Sequence, residues 1–175
     1  MSPDELRLRS LYVFLSCSQA VEQCKDQLIA TFPSPTLSTK LFLEQSLRRE
    51  LAMLFRYWMT REIWERLETN EEDAKHLNLV LLRLFTNAFR LPRDGSGLRY
   101  ASLAMLSEEV LELSHRITSA IGMEHQPLLA QLQSTIAPWR DSVIRYTADA
   151  LTLPLDQLAA KVKALAELVP GKIVT

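Results

Sequence analysis

Hydrophobic residues recur along most of this chain at spacings of three and four, which is the period of amphipathic α-helices. Prolines and glycines collect between these periodic stretches, most clearly in TFPSPT (31–36) and PRDGSG (92–97). We therefore predict an all-α fold of about six helices joined by short links. They cover about residues 3–30, 37–69, 71–91, 98–121, 127–153 and 154–169.

The stretch LNLVLLRLFTNAFRL (77–91) is the most apolar of the six, and its apolar side chains point in nearly every direction around a helix. A helix that is apolar all round is normally buried among others. Asn70 and three acids after it mark a helix start, and Pro92 marks the end. The sequence therefore predicts one irregular helical domain, residues 1–175, packed around a central helix at about 71–91.

Two places invite a different assignment. LYVFL (11–15) resembles a strand locally, but it lies inside a long helical period from Val13 to Leu28. Pro138 interrupts a three-and-four pattern that continues from Leu129 to Leu153 on both sides of it. We predict helix at both places, with a single helix running across the proline.

The apolar face of the second helix changes direction along its length. Its first half carries one leucine stripe that ends at Trp58, and beyond this point the same face is charged. Aromatic and aliphatic residues then occupy a rotated face, which favours contact with a second partner because such residues are enriched at protein interfaces. The predicted interface residues are Tyr57, Ile63, Trp64 and Leu67. The charged residues between them are spaced to form ion pairs within the helix.

Composition and charge narrow the classes of partner. The chain has 20 Lys and Arg against 21 Asp and Glu, spread evenly, for a net charge of −1. Such balance argues against nucleic acid or an anionic membrane as the main partner. No run reaches the ~18 apolar residues of a membrane span, and MSPDELRLRS lacks the apolar core of a secretory signal. We expect a cytoplasmic protein whose two cysteines, Cys17 and Cys24, are reduced and buried.

Paired carboxylates and histidines raise the possibility of a di-metal site inside the bundle. Glu112 and His115 have the required spacing, and Asp73 with His76 repeats it loosely. On a helical wheel, however, Glu112 and His115 lie roughly 150° from the apolar stripe of their helix, so they point to water. We therefore predict no metal site and no cofactor.

Nucleophilic catalysis has little support in the sequence. Cys17 and Cys24 belong to an apolar stripe, and no histidine shares their helix; His125 lies in a distant link. The glycine fingerprints of dinucleotide and P-loop sites are absent from the sequence. No catalytic residue is predicted.

The glycine loop between the third and fourth predicted helices is the one candidate ligand site. Arg90, Arg93 and Arg99 give it a local excess of positive charge, and Ser96 can cap the following helix or donate to an anion. The alternative is a simple turn with solvated arginines. Two functions therefore stay open: a non-enzymatic interaction protein, with itself or another protein as partner and a homodimer as the expected form, or a small-ligand sensor or enzyme binding an anionic group at this loop.

Overall fold

The computed structural model describes residues 1–31, 37–91 and 125–168, and these residues form five helices without a strand. The all-α prediction is confirmed for this part of the chain. The predicted helix at 98–121 lies outside the described residues, so the count of six helices is not confirmed. The five are α1 (Pro3–Ala30), α2 (Leu37–Arg66), α3 (Glu71–Phe89), α4 (His125–Thr152) and α5 (Leu155–Leu168).

The helix boundaries follow local chemistry. Ser2 caps α1 by accepting a hydrogen bond from the Glu5 amide at 3.1 Å, and proline occupies the first helical position. Asn70 precedes α3 as predicted, but its side chain donates to Asp73 at 2.7 Å and makes no cap to the backbone. The helix α4 continues through Pro138, which confirms the single helix predicted there.

The helix at the centre of the described structure is α1. It packs against each of the other four described helices, whereas α3 packs against α1 and α2. Every side chain from Tyr12 to Ser18 is buried, which means that α1 is enclosed on all sides at this level. The central position predicted for α3 is therefore not confirmed. Ser16, Cys17, Ser18 and Ala20 are small, so neighbouring helices can approach α1 closely.

Contacts along α1 fix the directions of its neighbours. The Met1 amino group lies 3.4 Å from the Asp73 carboxylate, and the Phe14 and Phe85 rings meet edge to face at 5.4 Å. The contact nearer the start of α1 is also nearer the start of α3, and the contact further along α1 is also further along α3. The helix α3 therefore runs parallel to α1 and lies beside its N-terminal half.

The helix α4 runs antiparallel to α1 over nearly its whole length. Gln131 donates to the Thr31 carbonyl at one end, at 3.3 Å, and Trp139 donates to Gln27 at 3.1 Å. The helix α2 is also antiparallel to α1, because Arg48 in its first half bonds to Glu22 in the second half of α1. The buried core of the described residues draws on all five helices.

The junction between α4 and α5 is held by a residue from the start of the chain. Helical geometry would pair the Ala150 carbonyl with the amide of residue 154, but Pro154 has no N–H. Arg9 supplies the missing donor: its Nη1 lies 2.6 Å from the Ala150 oxygen and 3.2 Å from the Leu153 oxygen. The Arg9 side chain thus ties α1 to the α4–α5 corner.

Candidate functional site

The helix α3 has a buried face and an exposed apolar face. Its buried residues recur at helical spacing and pack toward α1 and α2. On the other side, Leu79 is 51% exposed and Leu82 is 43% exposed. A surface leucine alone needs no explanation, but two on one helix face extend an apolar surface into solvent. The buried residues are Ala74, Leu77, Leu81, Phe85 and Phe89.

The exposed leucines belong to a second stripe along α3. Lys75, Leu79, Leu82 and Thr86 follow one another at spacings of four, three and four, so they share a face, which we call the Leu79–Leu82 face. At 100° per residue this face is centred roughly 110° from the buried one. Sequence reasoning assigned both leucines to the core because it treated apolar residues all round as burial. The sequence feature that could have identified this face is the second apolar stripe itself, because one helix can bury one stripe and expose the other.

Asn78 lies between the two faces of α3 and is half-buried. Neither its amide nitrogen nor its amide oxygen is accessible to solvent, and neither has a hydrogen-bond partner. Asn87 and Arg83 are exposed. The unpaired amide of Asn78 lowers the free energy of unfolding, because it is buried without a hydrogen bond.

The four predicted interface residues of α2 do not share one exposed surface. Ile63 is completely buried, and Tyr57 and Leu67 are half-buried against the core. Trp64 alone is exposed, at 38%. An interface on this side of α2 therefore depends on Trp64, and its use by a partner stays a prediction.

The charged residues near Trp64 pair within their own helix. Arg61 lies 3.0 Å from Glu65, and Arg66 lies 2.6 Å from Glu62. These contacts confirm the intrahelical ion pairs expected from the spacing. They are exposed and contribute little to stability.

The last described helix, α5, packs against α1 through a thin apolar seam. Leu158 is its only buried residue, and Val162 and Leu165 are half-buried against the core. Leu155 and Leu168 are exposed near its two ends. They lie far apart on the helix, so they form no continuous patch.

Of the predicted anion-binding residues, only Arg90 lies within the described part of the chain; Arg93, Ser96 and Arg99 lie outside it. Arg90 is exposed and ends α3 in the left-handed region, with φ 52° and ψ 48°. Glycine is the usual residue in this conformation, because a side chain there is strained. Whether the four residues converge on a ligand stays a prediction.

Neither the metal nor the nucleophile hypothesis gains support from the described residues. No group of three or more potential metal ligands occurs among them, and Glu112 and His115 lie outside them. Asp73 is engaged by Met1 and Asn70. Cys17 and Cys24 are free and buried, as predicted, and burial raises the pKa of each thiol to about 12. Such thiols are protonated and inert at neutral pH.

A partly buried ion-pair cluster joins α1 to α2. Arg48 donates to both carboxylate oxygens of Glu22, at 2.5 and 3.2 Å, and Lys25 donates to Glu22 at 2.6 Å. Burial alone would raise the pKa of Glu22, but the hydrogen bonds from Arg48 and Lys25 outweigh it and lower the pKa to about 2. Because every charge has a partner, the cluster is a structural joint and offers no free group for catalysis.

An open cleft of about 580 Å³ separates the end of α1 from α4. Its walls carry hydroxyl and amide groups beside the rings of Pro138 and Trp139, and none of the described residues that line it is charged. Its lining residues are Gln27, Ala30, Thr31, Ser134, Thr135, Pro138, Trp139 and Ser142.

Within the ranges that the structure describes, no helix combines the length and apolar character needed to cross a membrane. Among the described residues, the candidate site is the exposed apolar face of α3, with Trp64 of α2 as a second exposed side chain. Comparisons of the chain with protein-family models, with curated proteins and with solved structures found no match.

Proposed function

We propose that this protein is a non-enzymatic interaction protein that assembles with another protein molecule through an exposed helix face. The observation that carries the proposal is the Leu79–Leu82 face of α3, where two large apolar side chains share one side of a regular helix and meet solvent. Burying such a surface against a partner removes apolar area from water, which stabilises the complex by about 25 cal/mol per Å² of that area. A rigid helix also presents these side chains without ordering a loop first.

The other exposed apolar side chains support this proposal less strongly. Tryptophan is a residue type that often anchors interfaces. The other three predicted interface residues, Ile63, Tyr57 and Leu67, pack against the core, so Trp64 is the only exposed one of the four. The exposed leucines of α5 are separated by most of that helix. We therefore place the principal contact on α3, and a homodimer is the simplest assembly that it supports.

Multi-angle light scattering over a wide range of protein concentration tests the proposal, combined with chemical cross-linking of the protein in its native host. We expect a mass above the monomer, or a cross-linked complex, that is lost in Leu82→Glu. Leu168→Glu, also exposed and apolar in the native chain, is the matched control and should leave assembly unchanged. A protein that stays monomeric at millimolar concentration and forms no cross-linked complex would refute the proposal.

The alternative function is a small-ligand sensor or enzyme that holds an anionic group at the Arg90–Arg99 loop. It is supported by the exposed Arg90 guanidinium at the start of that loop, which places a positive charge at the surface. A thermal-shift screen with phosphorylated metabolites and nucleotides tests it. A stabilising ligand whose effect disappears in Arg93→Ala would favour this alternative, and no shift with any of the compounds would count against it.

A further inference from the structure

We propose that the occupant of the Leu79–Leu82 face is a second copy of this chain, whose α3 lies antiparallel to the first across a two-fold axis. The inference rests on the interaction function proposed above and adds the partner, the orientation and the contacts. A two-fold interface uses the same surface on both molecules, so the face must be complementary to itself. The order of residues along α3 meets this condition.

The register follows from the position of the two exposed leucines. We place the two-fold axis at the level between Val80 and Leu81. Two residues of opposite copies then lie at the same level when their numbers add up to 161. Leu79 of each copy then meets Leu82 of the other, and the two pairs surround the axis. Lys75 is level with Thr86, so no acid or base faces one of its own sign along the central stripe.

Charge at the two ends of α3 favours the same antiparallel arrangement. Glu71 and Glu72 begin the helix and Arg90 ends it, and all three are exposed. On the helical wheel, Glu72 and Arg90 lie on the same side of the Leu79–Leu82 face, both at roughly 160° from the centre of the buried face. In an antiparallel pair, Glu72 of each copy meets Arg90 of the second copy, which forms two intermolecular ion pairs. A parallel pair would instead place like charges together.

The size of the contact sets the expected affinity. A helix of 19 residues offers about five turns, so two such helices bury less than the ~1,200–2,000 Å² of a standard interface. We therefore expect a reversible dimer with a dissociation constant in the micromolar range. The dimer should dissociate on dilution.

A charge exchange tests both the partner and its orientation. Glu72→Arg and Arg90→Glu, each alone, place like charges together twice per dimer, and we expect each to raise the dissociation constant about fivefold or more. The double variant Glu72→Arg/Arg90→Glu restores opposite charges and should return to within about threefold of the native value. Residues 72 and 90 lie ~27 Å apart within one helix, so they cannot rescue each other inside one molecule. Sedimentation equilibrium measures the constants, and circular dichroism checks that every variant is folded.

The apolar centre is tested in the same measurement. Leu82→Glu should raise the dissociation constant at least tenfold, while Leu168→Glu should leave it unchanged. A dimer that is unaffected by Leu82→Glu but lost in Trp64→Glu overturns this inference and leaves the interaction function intact. A dimer that depends on Leu82 without rescue by the charge exchange overturns the antiparallel register. A protein that is monomeric under all conditions overturns the inference, and the cross-linking result then decides the interaction function separately.

Discussion

Replacing Arg9 by methionine should destabilise the protein through the distant corner between α4 and α5. Methionine keeps most of the aliphatic length of arginine but has no donor. The substitution leaves the Ala150 carbonyl without a partner, because Pro154 supplies no amide, and it also removes the 3.2 Å bond to the Leu153 carbonyl. The remaining partner of Arg9 is Glu5, at 3.0 Å; because this carboxylate is partly exposed, the ion pair contributes less than the two carbonyl bonds.

The magnitude can be worked from these contacts. Each hydrogen bond from a charged donor contributes about 1.5–3 kcal/mol, and an orphaned buried carbonyl costs about 1–3 kcal/mol. Relief of the desolvated charge offsets part of this loss, since Arg9 is only 9% exposed. The expected net effect is a loss of about 2 kcal/mol, or roughly 4–8 °C in Tm for a chain of this size.

Urea unfolding followed by circular dichroism at 222 nm measures this loss. Arg7→Met is the matched control, because Arg7 lies on the same helix and is exposed, and it should change the free energy of unfolding by less than ~0.5 kcal/mol. Pro154→Ala restores an amide at position 154, so the loss caused by Arg9→Met should be about 1 kcal/mol smaller in that background. Equal effects of Arg9→Met and Arg7→Met, or strict additivity with Pro154→Ala, would refute the reasoning.

Three further predictions concern other buried groups. Asn78→Leu removes an unpaired buried amide and should raise the free energy of unfolding by about 1 kcal/mol in urea melts; a loss would show that the amide has a partner after all. The folded-state pKa of Glu22, about 2, lies below its usual 4.5, so its stabilisation is complete above pH 4.5 and lost as pH falls toward 2; Glu22→Gln should flatten this part of the stability profile, and an unchanged profile contradicts the assignment. Cys17 and Cys24 should not react with a thiol reagent within minutes in the native protein, while both react in denaturant; rapid native labelling would contradict their burial.

Much of the secondary structure could be predicted from the sequence because it depends on local signals. Ser2 and Pro3 define the start of α1, and three-and-four periodicity carries α4 across Pro138. The buried thiols and the ion pair between Arg61 and Glu65 follow from the same spacing rules. These features require only knowledge of residues within a few turns of one helix.

The arrangement of the helices could not be predicted from the same information. The leucines of α3 predicted a central helix, yet among the described helices it is α1 that packs against all the others. Small residues such as Ser16 and Ala20 of α1 add little to an apolar pattern. Close approach of several helices depends on side-chain size as well as hydrophobicity. Likewise, the bond from Arg9 to Ala150 joins residues 141 positions apart, and no local pattern announces it.

For the candidate site, the sequence predicted that apolar and aromatic residues form an interface, but it did not predict the exposed face of α3. Ile63 was predicted as an interface residue because it lies on a rotated apolar face, but its side chain belongs to the core and is completely buried. The sequence did not predict the exposure of Leu79 and Leu82, because a helix with apolar residues on two faces has the same composition as a buried one. Only the packing of α3 against α1 and α2 shows which of its two stripes stays exposed.

The enclosure of α1 has a consequence for how the chain is synthesised. Of the five described helices, α1 comes first in the chain, so it is synthesised before the four helices that cover it. The bonds from Arg9 to the Ala150 and Leu153 carbonyls form only after residues 150–154 have been made. Until then α1 presents Phe14, Leu15 and Val21 to the cell without their final neighbours. Nascent chains are therefore expected to fold late and together rather than helix by helix, and to need protection from aggregation during that interval.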